Sequence, residues 1–232
     1  MAQDRIYTSD DGSEPFRFDD RVAQVFPDML RRSIPGYAAS LEAIGSLAAR
    51  HVHAGTNCYD LGCSLGAATL AMRQGIREPG CRIVAVDSAP AMTERCSEIV
   101  HRDTAVPDLM TDVDVVLSDI RDIEVVNASM VVLNYTLQFL PLVDRDTLIG
   151  RIAAGTNPGG ILVLSEKVVD EDAAMEKLLV GLHHEHKRRN NYSALEISRK
   201  RAALENVLVP ETVKAHRARL DDAGFSNSAV WL

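Results

Sequence analysis

The sequence predicts an α/β protein built on a doubly wound, mainly parallel sheet. Apolar segments of strand length alternate along the chain with segments whose apolar residues recur at helical spacing. The first of these strands runs into a glycine-rich turn and a helix, and the next one ends in an aspartate. With 232 residues, 46% of them hydrophobic, the chain can bury one sizeable core, so we expect one domain.

The domain is expected to extend over residues 16–232. Residues 1–15 are polar and acidic without an apolar period, which predicts a flexible tail. Residues 170–224 are almost wholly helical in pattern and highly charged, and they are longer than one crossover between strands requires. A helical insertion of this kind after the fifth strand predicts a lid over a site or a dimerisation arm.

Local patterns predict the elements in turn. Asp19 is a candidate N-cap for a first helix over 19–32, and Pro35-Gly36 separates that helix from a second one over 37–51. The elements that follow are strands over 57–61, 82–86, 113–117, 128–133 and 161–165, and helices over 67–74, 90–100, 145–154, 176–189, 193–208 and 211–223.

The turn after the first strand has the pattern Asp60-x-Gly62-x-x-x-Gly66, which predicts a Rossmann-like nucleotide site. Asp87 ends the next strand, where a carboxylate can accept both ribose hydroxyls of a nucleoside. The glycine spacing differs from the dinucleotide fingerprint, and Asp60 would repel a pyrophosphate while suiting the ammonium group of S-adenosylmethionine (SAM). We therefore expect SAM rather than NAD.

The third and fourth strands end in side chains that overhang the same crevice. Asp119 is placed to accept the adenine amino group, Ile120 to pack on the ring, and Asn134 to line the cofactor. Each acidic or amide residue also has a structural alternative: Asp87 as a helix N-cap, Asp119 as a partner of Arg121, and Asn134 as a turn residue.

Composition and charge argue against several classes of function. A net charge of −8 disfavours direct nucleic-acid binding, so a small-molecule substrate is expected. No apolar run approaches the roughly 20 residues of a membrane span, and the polar N-terminus does not resemble a secretory signal, which predicts a cytoplasmic protein.

Two features that suggest other chemistry are discounted. His183-His-Glu-His186 lacks the i, i+4 histidine spacing of a helical zinc site, so no metal site is predicted. The four cysteines lack paired spacing and are expected to be small buried residues rather than disulfides.

Five segments carry a resemblance to one family. They are Phe18-Asp-Asp-Arg-Val-Ala-Gln-Val-Phe-Pro-Asp-Met29, Arg32-Ser-Ile-Pro-Gly-Tyr37, Tyr59-Asp-Leu-Gly-Cys-Ser-Leu-Gly-Ala-Ala-Thr69, Asn134-Tyr-Thr-Leu-Gln-Phe-Leu140 and Glu196-Ile-Ser-Arg-Lys-Arg201. Together they resemble the carboxy-SAM synthases, enzymes of the tRNA uridine-5-oxyacetic acid pathway with the class I SAM-methyltransferase fold. The resemblance runs from about Phe18 to Trp231.

The resemblance implies a reaction, an assembly and a set of site residues. The family converts SAM and prephenate to carboxy-SAM and phenylpyruvate as a homodimer, and its product serves a tRNA carboxymethyltransferase acting at the wobble position. Carried over by motif, the residues that line the cofactor are Tyr37, Gly62, Cys63, Ser64, Asp87, Ser88, Asp119, Ile120 and Asn134, with Asp60 at the start of the loop. Arg201 of the neighbouring subunit is implied to reach the new carboxylate.

The implied chemistry needs positioning more than a strong base. Decarboxylation of prephenate beside SAM would release carbon dioxide, and the leaving hydroxide would take a methyl proton. Tyr37 and Arg201 are expected as the catalytic residues, which orient and stabilise charge. Arg32 and Lys200 are further candidates for contacts with the prephenate dianion.

Two alternatives share the fold and stay open at this stage: a SAM-dependent methyltransferase acting on a small acidic substrate, and a catalytically idle SAM-binding module. The resemblance also implies further sheet strands beyond Trp231, whose loss would expose an apolar sheet edge.

Overall fold

A computed structural model describes residues 3–8, 15–103 and 111–231. The helices are α1 Asp20–Ser33, α2 Tyr37–His51, α3 Ala67–Gly75, α4 Pro90–Arg102, α5 Leu142–Gly155, α6 Ala173–Arg189, α7 Ala194–Leu204 and α8 Val213–Asp222. The strands are β1 Asn57–Leu61, β2 Arg82–Asp87, β3 Asp112–Leu117, β4 Ala128–Asn134 and β5 Thr156–Ser165.

The five strands form one parallel sheet in the order β3-β2-β1-β4-β5. The chain order therefore reverses direction between β1 and β4, the position at which an open α/β sheet leaves a crevice at its carboxyl edge. In the register, Asp60 lies opposite Ala85 of β2 and Val132 of β4. The predicted doubly wound, Rossmann-like architecture is confirmed.

Apolar layers cover both faces of the sheet. One core cluster joins Leu61 and Leu133 to Ile149 of α5, and a second joins Ile83 and Met130 to α2 and α3. Strands buried on both faces read as continuous apolar runs, which is the pattern that β4 shows. By contrast, no residue of β5, at the sheet edge, is fully buried.

The N-terminal residues 3–8 differ from the predicted tail. Asp4 and Tyr7 are buried, at 2% and 5% exposure, because they pack against α1 and the α6–α7 region. Most of the polar character that suggested a tail comes from residues 9–14, which lie outside the described residues together with 1, 2, 104–110 and 232. The folded body thus includes Gln3 to Thr8.

An ion cluster, which we call the N-terminal ion cluster, ties this segment to the helical insertion; it comprises Asp4, Asp28, Arg32, Tyr192 and Lys200. Arg32 donates to the carbonyls of Asn190, Asn191 and Asp4 at 2.7, 2.8 and 3.1 Å, and to Asp28 at 3.2 Å. Its guanidinium lies 3.9 Å from the ring centroid of Tyr192. The turn between α6 and α7 is therefore fastened to α1.

The predicted helical insertion is present as α6, α7 and α8. Buried Arg145 fastens its second half, donating to the carbonyls of Gln138 and Val209 and to the carboxylate of Glu211. None of the described helices is long and apolar enough to cross a membrane. All four cysteines are buried, as predicted, and none forms a disulfide bond.

Candidate active site

The glycine turn after β1 approaches the loop after β4 closely. Gly62 and Gly66 have φ of +87° and +81°, a region that favours glycine. A Cβ atom on Gly62 would lie 2.3 Å from Oγ1 of Thr136, so no larger residue fits there without displacing the β4 loop. The glycine turn and the loop after β4 can therefore pack this closely because residue 62 has no side chain.

Asp87, at the end of β2, braces the glycine turn. Its Oδ2 accepts from the backbone N–H of Ser64 at 2.9 Å, and its Oδ1 accepts from Ala89 at 2.9 Å. Burial raises the pKa of Asp87, while these hydrogen bonds oppose the rise. The contact with Ala89 is the helix-capping role that the sequence offered as an alternative for Asp87. Both carboxylate oxygens keep further lone pairs that can accept other donors, so the expected contact with ribose hydroxyls stays a prediction.

Cys63 and Ser88 complete the predicted lining beside Asp87. Cys63 is 5% exposed and its Sγ faces the backbone of Ser64, whereas Ser88 is exposed at the crevice side of β2. Ser64 itself has φ of +48°, an uncommon conformation for a residue with a side chain. The strained turn presents its backbone where a ligand would approach.

Two buried acceptor atoms at the ends of β1 and β4 lack partners among the described residues. Asp60 is 1% exposed; its Oδ2 accepts from the Thr69 hydroxyl at 2.6 Å, while its Oδ1 accepts nothing. Oδ1 of Asn134, on the neighbouring strand, is likewise unpartnered. Because leaving a buried polar atom unsatisfied costs about 1–3 kcal/mol, the pair suits a ligand that brings donors, such as the ammonium and hydroxyl groups of SAM.

Tyr37, the first residue of α2, lies close to this part of the crevice. Its ring centroid lies 6.3 Å from that of Tyr135, which follows Asn134 with φ of +61°. Burial raises the pKa of Tyr37, and the nearby Asp60 raises it further, so the phenol stays protonated and can donate. The structure thus brings Tyr37, Asp60 and Asn134 together, as the sequence predicts.

Glu166, just after β5, is a site residue that the sequence reasoning did not identify. Its carboxylate accepts the backbone N–H groups of Thr136, Leu137 and Gln138 at 3.2, 2.8 and 3.0 Å. Burial raises its pKa to about 8 against the opposing effect of those bonds. The sequence signal that could have identified Glu166 is its position just after the predicted fifth strand, because the carboxyl ends of parallel strands meet at the same crevice.

Asp119 and Ile120 are placed differently from the other lining residues. Arg121 binds both Asp119 oxygens, with Nη2 to Oδ2 at 2.7 Å and Nε to Oδ1 at 3.0 Å. This is the ion-pair alternative, and it lowers the pKa of Asp119, chiefly through the Arg121 side chain. Ile120 is 6% exposed and packs in the core, so only its margin is available to an adenine ring.

The three cations predicted for the site differ in their exposure and in their partners. Arg201 is exposed on α7, and its expected contact across a subunit boundary stays a prediction. Arg32 and Lys200, considered for contacts with the second substrate, are 6% exposed and belong to the N-terminal ion cluster. Their donors are committed to carbonyls, a carboxylate and the Ser33 hydroxyl, so that expectation is wrong.

Sequence similarity to known proteins indicates the family of this chain. Residues 59–160 match a family model described as a methyltransferase domain. A carboxy-S-adenosyl-L-methionine synthase of Trichlorobacter lovleyi is 54% identical over 93% of this chain and 87% of its own length. The enzyme of the same description from Vibrio campbellii is 56% identical over 93% and 86%.

Solved structures agree on the fold. A putative O-methyltransferase of Nostoc punctiforme matches with a TM-score of 0.61 at 16% identity, over 91% of this chain and 55% of its own. Human N-acetylserotonin methyltransferase, solved in complex with SAM, matches with a TM-score of 0.56 at 16% identity, over 90% and 50%. The chain has the class I SAM-methyltransferase fold.

Among the described residues, no group of three or more His, Cys, Asp or Glu side chains is arranged to hold a metal ion.

Proposed function

Because the chain belongs to the carboxy-S-adenosyl-L-methionine synthase family, we propose that it converts SAM and prephenate to carboxy-SAM and phenylpyruvate. The identity extends over 93% of the chain, so it includes the crevice and most of the helical insertion. The structural observation that best supports the nucleoside site is the pair of open acceptors, Oδ1 of Asp60 and Oδ1 of Asn134.

In this proposal the residues of the crevice bind and orient. Asp60 and Asn134 accept from donors of the nucleoside substrate, and Asp87 accepts from its ribose. Tyr37 donates from a phenol that burial keeps protonated. Glu166 holds the backbone of residues 136–138, and thereby the wall that faces Gly62.

The overall reaction balances without an oxidant or a metal. Prephenate loses carbon dioxide and hydroxide to become phenylpyruvate, the SAM methyl group gives one proton to that hydroxide as water, and the same carbon forms a bond to carbon dioxide. The protein has to hold the two substrates together and exclude water, since carbon dioxide would otherwise escape.

We propose that the protein acts as a homodimer in which Arg201 of one subunit binds the new carboxylate in the other. A guanidinium binds a carboxylate in bidentate geometry, whereas a methyl group on sulfonium needs no cation. The dimer is supported by α6, which has no buried residue and displays an apolar stripe of Met175, Leu178, Leu179 and Leu182 at 41–54% exposure. Apolar patches of this kind on a helix are typical of protein interfaces.

The remaining parts of the proposal concern the wider setting. The product would supply a carboxymethyl donor to a downstream tRNA-modifying enzyme at the wobble uridine, in the cytoplasm. The acidic charge of −8 supports a role that does not require this chain to bind the tRNA itself. The alternative of a methyltransferase acting on a small acid rests on the fold, which both activities share.

Mass spectrometry separates the two activities. Incubation with SAM and prephenate should give a nucleoside heavier than SAM by about 44 mass units, and by about 45 when the ring carboxylate of prephenate carries ¹³C, because the elements of carbon dioxide are added. Omitting prephenate is the control. Formation of S-adenosylhomocysteine with no heavier nucleoside would establish methyl transfer instead and overturn the proposal.

Arg201→Ala tests the subunit-crossing role. We expect affinity for carboxy-SAM to fall about tenfold or more, equivalent to about 1.4 kcal/mol, while affinity for SAM changes little. Arg217→Ala, which removes an exposed arginine from α8, is the matched control. Calorimetry of both nucleosides measures the difference, and equal weakening of the two would refute the assigned role.

A further inference from the structure

Tyr135, the residue that follows β4, has a backbone conformation that tyrosine rarely adopts. Its φ of +61° lies in the left-handed region, where a side chain as bulky as a phenol is an outlier. A conformation of this kind is strained, and it persists only where the surrounding contacts compensate for the strain. Strained residues cluster at ligand-binding sites, so the contacts that hold Tyr135 and the position of its ring bear on function.

Hydrogen bonds to the end of β5 hold Tyr135 in this conformation. Its backbone N–H donates to the carbonyl of Ser165 at 2.7 Å. The next three backbone N–H groups, those of residues 136–138, donate to the Glu166 carboxylate at 3.2, 2.8 and 3.0 Å. Because Ser165 and Glu166 bind four consecutive N–H groups, the turn that contains Tyr135 cannot relax without breaking several hydrogen bonds.

The strained turn places the ring of Tyr135 beside that of Tyr37; we call these two residues the tyrosine pair. Their ring centroids are 6.3 Å apart and their planes are inclined by 43°, so the rings are neither stacked face to face nor perpendicular. Both side chains are half-buried, which leaves part of each one accessible to a ligand. The pair therefore offers two aromatic surfaces to one small volume.

The tyrosine pair borders the open acceptors of the crevice. Tyr135 follows Asn134, whose Oδ1 is one of the two buried acceptor atoms without a partner among the described residues, and the other is Oδ1 of Asp60 on the neighbouring strand. Gly62, two residues after Asp60, approaches Thr136 so closely that a Cβ atom on it would lie 2.3 Å from Oγ1 of Thr136. The turn that carries Tyr135 thus packs directly against the glycine turn of the nucleoside site.

Aromatic rings attract a cation that has no hydrogen to donate. The attraction comes from the negative potential of the ring face and acts within about 6 Å of the ring centroid, and proteins recognise quaternary ammonium groups in this way. The sulfonium of SAM likewise has no N–H or O–H group, so the open oxygen acceptors of Asp60 and Asn134 cannot form a hydrogen bond with it. Since the two centroids are 6.3 Å apart, one cation can lie within that distance of both rings.

We propose that Tyr135, together with Tyr37, binds the sulfonium of SAM and lets the site discriminate SAM from its neutral thioether, S-adenosylhomocysteine. The proposal rests on the proposed function for the identity of the ligand, and it adds Tyr135 as a specificity-determining residue. An aromatic ring has no net charge, so it attracts the sulfonium without repelling the carboxylate that the proposed reaction adds beside it. The strained backbone then has a function, because it places the second ring beside Tyr37.

Tyr135→Leu tests this role, because leucine keeps an apolar side chain but has no ring. Calorimetry on protein dialysed free of nucleoside should show affinity for SAM at least about fivefold weaker than in the wild type, and affinity for S-adenosylhomocysteine within about twofold. Tyr135→Phe, which keeps the ring, should retain the wild-type ratio of the two affinities. Phe139→Leu is the matched control: it removes a ring of the same loop, one that packs on Phe18 with centroids 5.2 Å apart, and should leave the ratio unchanged.

The outcomes separate this proposal from the proposed function. An unchanged ratio of the two affinities in Tyr135→Leu, or an equal change in Tyr135→Phe, would overturn the role of the ring even if the wild type makes carboxy-SAM. Selective loss of SAM affinity in Tyr135→Leu, with a wild type that forms no carboxy-SAM from SAM and prephenate, would preserve the role and reject the function. If Tyr135→Leu does not fold, Tyr37→Leu carries the same expectation because it removes the other ring, and an unchanged ratio there would likewise overturn the proposal.

Discussion

The N-terminal ion cluster and the crevice between β1 and β4 both bury polar groups, and the partners of those groups differ. In the cluster, Arg32 reaches four oxygen acceptors and stacks on Tyr192. At the crevice, Oδ1 of Asp60 and Oδ1 of Asn134 have no hydrogen-bond partner among the described residues. A buried cation whose acceptors lie within the chain holds the fold together, whereas a buried acceptor without a partner at a crevice can accept from a ligand.

Arg32→Met should have the largest effect on stability. It removes the donors that bind the Asn190 and Asn191 carbonyls and leaves Asp28 buried with less compensation, so we expect the free energy of unfolding to fall by about 3–5 kcal/mol. Urea denaturation measures this change. Arg31→Met is the control: Arg31 also contacts Asp28 but its side chain is 75% exposed, so the loss should be about 0–1 kcal/mol. Equal losses in the two variants would remove the basis of the comparison.

Lys200→Met should have a smaller effect that depends on pH. Burial lowers the pKa of Lys200 to about 7 from its ordinary 10.5, opposed by Asp4. Between these values the unfolded chain holds more protons than the folded one, so wild-type stability should gain from this group as pH rises from about 7 to 10.5. The variant lacks that gain, and its stability relative to the wild type should therefore fall over this window. Urea unfolding at several pH values tests it; a difference independent of pH would contradict the expectation.

Local sequence patterns gave the elements and the crevice because their causes are local. The alternation of strands and helices, the glycines at 62 and 66, and the aspartates near the end of β1 and at the end of β2 all appear where expected. Tyr37 and Asn134 also lie at the crevice. The boundary of α7 was set too late, at 208, because residues 205–208 carry helix-compatible side chains but adopt turns.

The local pairing of Asp119 with Arg121 was among the alternatives that the sequence offered, and the structure shows it. Contacts between residues distant in the sequence could not be predicted from local patterns. Glu166 binds three backbone N–H groups of a loop about 30 residues earlier, and this contact leaves no period or motif in the sequence. Only the register of β4 against β5 brings Glu166 to that loop.

The sequence by itself determined the α/β architecture, the glycine turn and the family, since these depend on side-chain periodicity and on residues adjacent in the chain. The tertiary structure decided which charged residues are available. Arg32 meets its acceptors 158 and 159 residues away, and that long-range closure commits it to the fold. Glu166 likewise reaches the backbone N–H groups of residues 136–138 because β5 pairs with β4, and the free energy of a buried charge depends on such distant neighbours rather than on the residues next to it in sequence.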